Sequence, residues 1–200
     1  MRTLTISLLA TFFVVALTLS FMPGGATHAF AQSQPHAKTA SAQVAESSPS
    51  SAQVVALDEC DPATFNAALG PDFCHNVTLG AFTTLSDLFA KAAAGTPDPG
   101  WDFEPDLVHM KKDAILDVVD QGGEPHTFTE VGQFGGGFIP LLNAPGENMV
   151  PECANGFANV AVAKTRILQG SHTQITGLSR GEHLFECCIH PWMRVKVEVK

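Results

Sequence analysis

Gly181-Glu182-His183-Leu184-Phe185-Glu186-Cys187-Cys188-Ile189-His190-Pro191-Trp192-Met193, followed by Arg194-Val195-Lys196-Val197-Glu198-Val199-Lys200, decides how this sequence is read. Val195, Val197 and Val199 alternate with charged residues, the period of a strand buried on one face. Gly181 opens a second run ending in Leu184-Phe185, so the segment reads as strand, tight loop, strand. The loop carries a thiol, an imidazole and a thioether: Cys187, His190 and Met193. Such donors favour a soft or borderline metal ion. A second imidazole is available at His126, in the turn Gly122-Gly123-Glu124-Pro125-His126-Thr127-Phe128-Thr129, which feeds another extended run.

Two histidines and one cysteine in a trigonal set, with a long axial methionine, describe a blue-copper site. With its Pro-His turn upstream and its short ligand loop, the chain resembles the cupredoxins, the type 1 blue copper proteins, and within them the amicyanin and plastocyanin type. The resemblance covers roughly residues 101–200 and rests on local motifs. It implies an all-β Greek-key β-sandwich holding one type 1 copper, with His126, Cys187, His190 and Met193 as ligands. It also implies a one-electron carrier that is not itself an enzyme. In the family the second histidine, here His190, lies near the surface in an apolar patch, and Ile189, Pro191, Trp192, Phe138 and Pro140 offer one.

The chain departs from the family pattern twice. Asp113 closes the turn Lys111-Lys112-Asp113 where glycine is commoner, and Asp120 stands where an asparagine usually precedes the first histidine ligand. A carboxylate near copper favours the oxidised ion and lowers the potential. With Cys187 as the thiolate, four cysteines remain for two disulfides, which allows three connectivities. Closeness in sequence favours Cys60 with Cys74, leaving Cys153 with Cys188; the alternative leaves Cys188 free as a small buried side chain.

Cys-x2-His alone would also suit zinc, but structural zinc sites take four strong donors at paired spacings, and no second pair of that kind is present. No His-x-His pair occurs, unlike a multicopper oxidase. His75, His109, His172 and His183 read as surface or packing residues.

Upstream, residues 1–31 read as a signal peptide: Arg2, an apolar run from Leu4 to Met22, then Ala29-Phe30-Ala31 before a cut at Gln32. The run is long for a signal, so an uncleaved segment acting as a membrane anchor is the alternative. Residues 32–57, rich in Ser, Ala and Gln, read as a disordered linker with too little apolar surface to offset the entropy of ordering. Residues 58–200 then form the cupredoxin-like domain, with a short helical N-terminal extension at 58–100 and the copper-binding core at 101–200. In the extension the pattern predicts a helix ended by Gly70-Pro71, a strand at Asn76–Phe82 containing the weak glycosylation motif Asn76-Val77-Thr78, and a helix from Thr84 to Ala94 capped at Gly95. Beyond the first histidine, Gly135-Gly136-Gly137 suits a backbone that bends sharply or closely approaches another surface. Strands are predicted at Asn159–Val162, Arg166–Leu168 and Ser171–Thr176.

The 20 acidic side chains face 11 basic ones, or 10 once Arg2 is removed with the signal, which argues against nucleic acid. Expected instead are a periplasmic or extracellular address and a redox partner protein, with membrane contact only if the N-terminal segment is uncleaved. Two other functions use the same sequence: copper delivery through the same ligands, and a non-redox β-sandwich binding module. An enzyme would need a substrate pocket and acid/base residues beside the metal, and the sequence shows no such grouping.

Overall fold

In the computed structural model, residues 50–75 and 82–200 are described. The expected signal peptide, the linker up to residue 49 and residues 76–81 of the strand expected at Asn76–Phe82, with its Asn76 motif, lie outside them. Ten strands follow in order: β1 (Ser51–Leu57), β2 (Asp102–Glu104), β3 (Leu107–Met110), β4 (Ile115–Asp120), β5 (His126–Thr127), β6 (Thr129–Val131), β7 (Arg166–Ile167), β8 (His172–Ile175), β9 (Gly181–Glu186) and β10 (Arg194–Val199). Three α-helices accompany them among the described residues: α1 (Pro62–Leu69), α2 (Leu85–Ala93) and α3 (Val160–Lys164).

Eight of the strands form two four-stranded sheets, ordered β2-β1-β4-β8 and β3-β10-β9-β6. β1 with β4 and β10 with β3 run parallel, which requires long crossovers instead of hairpins and gives the expected Greek-key sandwich. Period-2 burial makes the two inner faces. Val195, Val197 and Val199 of β10 and Leu116 and Val118 of β4 point inward and meet Phe103, Phe128 and Phe185 in one apolar core.

The short helical extension is present, and its ends follow from capping. Asp61 accepts from the backbone N–H groups of Ala63 and Thr64 at the start of α1, and Thr84 accepts from Asp87 N at the start of α2. Both disulfides form in the favoured pairing, Cys60–Cys74 and Cys153–Cys188, and Cys187 stays free and buried.

Two expectations need correction. The Ser/Ala/Gln-rich linker does not extend to residue 57: Ser51–Leu57 is β1, hydrogen-bonded between β2 and β4, with Val54 and Ala56 fully buried. Its apolar run Val54-Val55-Ala56-Leu57 is a short strand signal within a composition that reads as low complexity. The domain therefore includes β1, which starts seven residues before the expected boundary. Second, Asn159–Val162 is not a strand but leads into α3, because the Asn159 side chain accepts from Ala161 N and starts a helical turn that buries only Val162. Among the described residues no helix is long and apolar enough to cross a membrane.

If β1 is a central strand, a chain of residues 50–200 should unfold cooperatively on heating. A chain of residues 58–200 should show no cooperative transition, by circular dichroism or calorimetry.

Candidate metal centre

The loop between β9 and β10 is closed by its own backbone: Cys187 N–H donates to Met193 O at 3.1 Å, and Met193 N–H donates to His190 O at 2.9 Å. These bonds bring Cys187, His190 and Met193 to one end of the sandwich. His126 reaches the same place because β5 follows the Gly122-Gly123 turn and pairs with β7. The His126 Nδ1 lies 3.9 Å from Cys187 Sγ, and the His190 Nδ1 lies 3.8 Å from the same sulfur. One ligand atom from each of the three residues lies within 4.8 Å of the others. His126 and Cys187 are fully buried, and His190 is 1% exposed. Met193 is fully buried in the core cluster that contains Cys187.

What aims the rings is a pair of carboxylates behind them. Asp58, just past the end of β1, faces His126 Nε2 at 3.0 Å, and Glu124 faces His190 Nε2 at 3.4 Å. With each Nε2 engaged by an acceptor, each Nδ1 is the ring nitrogen left facing the sulfur, the arrangement that fixes the ring of a metal-binding histidine. Asp58 is itself held by Cys60 N–H and Glu124 N–H at 3.2 and 2.9 Å. Gly122 makes room for it: a Cβ there would collide with the Asp58 carboxylate. Thr127 N–H points at Cys187 Sγ from 3.4 Å and supplies the thiolate with a backbone donor.

The electrostatics follow from this packing. Burial alone would raise the Cys187 thiol, but the neighbouring imidazoles outweigh it and hold the group well below its usual range. Burial would likewise lower His126, yet the Asp58 carboxylate and the Cys187 sulfur hold it well above the ordinary histidine value. Burial raises Glu124, partly offset by His190, and its Oε1 has no hydrogen-bond partner.

Asp120 does not hydrogen-bond either ligand loop histidine. Its Oδ1 accepts from Gly122 N–H at 2.9 Å, its Oδ2 has no partner, and burial pushes its carboxyl up to about 7. Asp58, Asp120 and His126 form a second close group on the far side of the His126 ring.

His190 is not near the surface as the resemblance implied. Trp101 meets its ring edge-on at 4.8 Å, Phe65 of α1 stacks on Trp101 at 5.8 Å, and Trp192 Nε1–H donates to Trp101 O at 3.1 Å. Trp101, backed by Phe65 of the N-terminal extension, thus covers the face that the resemblance leaves open. His75, His109, His172 and His183 lie outside the centre, as expected; His109, His172 and His183 pair with Glu198, Asp117 and Glu130. Sequence reasoning missed Asp58, Glu124 and Trp101. Asp58 stands 68 positions from the ring it holds, so no local spacing marks it.

Removing Asp58 should loosen His126. Asp58→Ala is expected to weaken divalent metal binding by about 10- to 100-fold, read by competition against a chelator of known affinity. Asp120 makes a separate prediction. Its folded value lies above its unfolded one, so the metal-free fold binds the proton more tightly and loses stability as pH rises from about 4 to about 7. Asp120→Asn should flatten that fall, which for this one group is about 1.4 kcal/mol per pH unit at most, in denaturant titrations at several pH values.

No protein-family model matches the chain. No curated protein matches it. Among solved structures it is similar to a purple cupredoxin from Nitrosopumilus maritimus, at 16% identity over 74% of this chain and 99% of that one, with a TM-score of 0.37. It is also similar to amicyanin from Paracoccus versutus, at 17% identity over 50% of this chain and 73% of that one, with a TM-score of 0.31. The sandwich topology and the buried Cys187-His126-His190 set are what make the fold cupredoxin-like.

Proposed function

We propose that the chain is an exported type 1 copper protein that carries single electrons, with His126, Cys187, His190 and Met193 as the ligands of one copper ion. A single observation carries this reading: two imidazole Nδ1 atoms face one buried sulfur at 3.9 and 3.8 Å, each with its Nε2 held from behind by a carboxylate. A thiolate, two imidazoles and a nearby thioether are the donors of a blue-copper site, and zinc would ask for a fourth strong ligand. Bound copper supplies a one-electron couple. The chain's residues do the rest: Asp58 and Glu124 lock the rings, Thr127 N–H and the closed loop lock the sulfur, and little is left to rearrange when the charge changes.

Burial of all three donors favours a resident ion over a delivered one, because release would require opening the packed end of the sandwich. The export address and a redox partner protein complete the proposal; an acidic chain of net charge −9 suits a partner that is basic at the contact.

The test is an absorption spectrum of the chain loaded with Cu(II). An intense visible band from thiolate-to-copper charge transfer is expected, and Cys187→Ser should abolish it. Met193→Leu should keep the band and shift the midpoint potential, since the axial donor tunes it. A colourless copper complex in the parent chain would overturn the reading.

A further inference from the structure

The end of the sandwich opposite the metal centre is where the chain enters it. The Ser50 carbonyl accepts from Ile115 N–H at 3.3 Å there, and β1 then runs to Asp58 at the metal end. The turn between β3 and β4 lies at the same end, with Lys112 N–H donating to Lys200 O at 2.9 Å and Lys200 N–H donating to Met110 O at 3.0 Å. Gly181 pairs with Val199, which sets Arg180 next to Lys200. Lys111, Lys112, Arg180 and Lys200 are therefore gathered at this one end, and all four are exposed. With Arg2 and Lys38 outside the described residues, nine basic side chains remain, and four of them are here. Among the described residues none of the four pairs with a carboxylate, whereas Lys91, Arg194 and Lys196 pair with Asp98, Glu147 and Glu182. Asp113 is the acidic side chain of the same turn; Glu182 and Glu198, one step further in, are engaged by Lys196 and His109.

We propose that this end is a docking face for a membrane surface of anionic lipid, with residues 4–22 as the anchor and the metal centre turned away from the bilayer. The proposal takes the uncleaved alternative for residues 1–31. Whatever lies upstream of Ser50 is joined to the basic end of the sandwich, because that is where β1 starts. Upstream lie residues 4–22, 19 positions without a charged side chain, the length a helix needs to cross a hydrocarbon core. A lysine or arginine close to an anionic leaflet favours contact by about fivefold, and here four act together. The acids of the metal end do not cancel this. β1 has seven residues, roughly 20 Å of extended chain, while charges are screened over about 8 Å at physiological salt. A chain of net charge −9 thus carries a basic cluster at the end from which its apolar segment leaves. An acidic protein as the occupant would leave that segment without a role. The placement uses no donor of the metal centre, so it stands whether or not the copper reading does.

The test uses the intact 200-residue chain without added metal, reconstituted with vesicles of phosphatidylcholine or of equal parts phosphatidylcholine and phosphatidylglycerol. The rate of acetylation of each lysine is read by mass spectrometry. The chain is expected to associate with both vesicles, and Lys111, Lys112 and Lys200 to react about fivefold more slowly on the anionic ones. Lys91, Lys164 and Lys196 should react equally on both. High salt should erase the difference, since the contact is electrostatic. Lys111→Gln, Lys112→Gln and Arg180→Gln together, all at exposed positions, should release Lys200 from protection. Failure to associate with either vesicle, equal rates for every lysine on both, or slowing at Lys91, Lys164 and Lys196 instead would each overturn the proposal. So would protection of Lys200 that survives in the folded triple variant. If that variant fails to fold, the pattern of protection in the parent chain decides.

Discussion

Two imidazoles can face one sulfur only if something holds them from behind, and in this molecule that something is a pair of buried carboxylates. Asp58 fixes His126 and Glu124 fixes His190, so the orientation of both rings depends on groups outside the donor set. The dependence reaches far. Asp58 is in place only because β1 inserts between β2 and β4 and delivers the chain to that end of the sandwich. It fits only because position 122 has no side chain. Strand, turn and carboxylate are thus parts of one constraint, and a change at any of them is felt at the His126 ring.

The ligand loop is held on its other side by a similar logic. Phe138 N–H donates to Cys188 O at 2.8 Å, and a Cβ on Gly137 would run into that same carbonyl. The glycine run lets one backbone lie directly on another, next to the sulfur. The Cys153–Cys188 disulfide ties the neighbouring residue to the loop beyond. Adjacent residues in extended backbone face opposite ways, which is how Cys188 crosslinks outward while Cys187 turns inward.

Much of this was legible because it is local. Cys187, His190 and Met193 declare themselves by spacing, β10 by its alternating valines, α1 and α2 by their caps and breakers, and the glycine run by what glycine alone permits. What stayed hidden depends on contacts between distant positions. β1 is a strand by virtue of its two neighbours, while its composition resembles a linker. The Asn159 region carries β-branched valines, yet a side-chain cap and the burial of Val162 alone settle it as a helix. The burial of His190 could not be inferred from the motif, because the residues that cover it, Trp101 and behind it Phe65, stand far from the ligand loop in the sequence.

The charges around the centre explain why these separate features occur together. Asp58 and Cys187 both favour their anionic forms, and both are removed from water. Buried charge of one sign is stable only when opposite charge sits beside it. In the metal-free chain that charge is a proton on imidazole, which is why His126 and His190 are both shifted toward their cationic forms. A cation coordinated by the three donors would replace those protons and satisfy the same field without disturbing the hydrogen bonds at either Nε2. Where burial outweighs the nearby positive charge the acids behave in the opposite way: Glu124 is raised despite His190, and Asp120 and Glu186 are raised to about 7. The buried acids of this region are therefore of two kinds: Asp58 and Cys187, held as anions beside the imidazoles, and Asp120, Glu124 and Glu186, raised by burial.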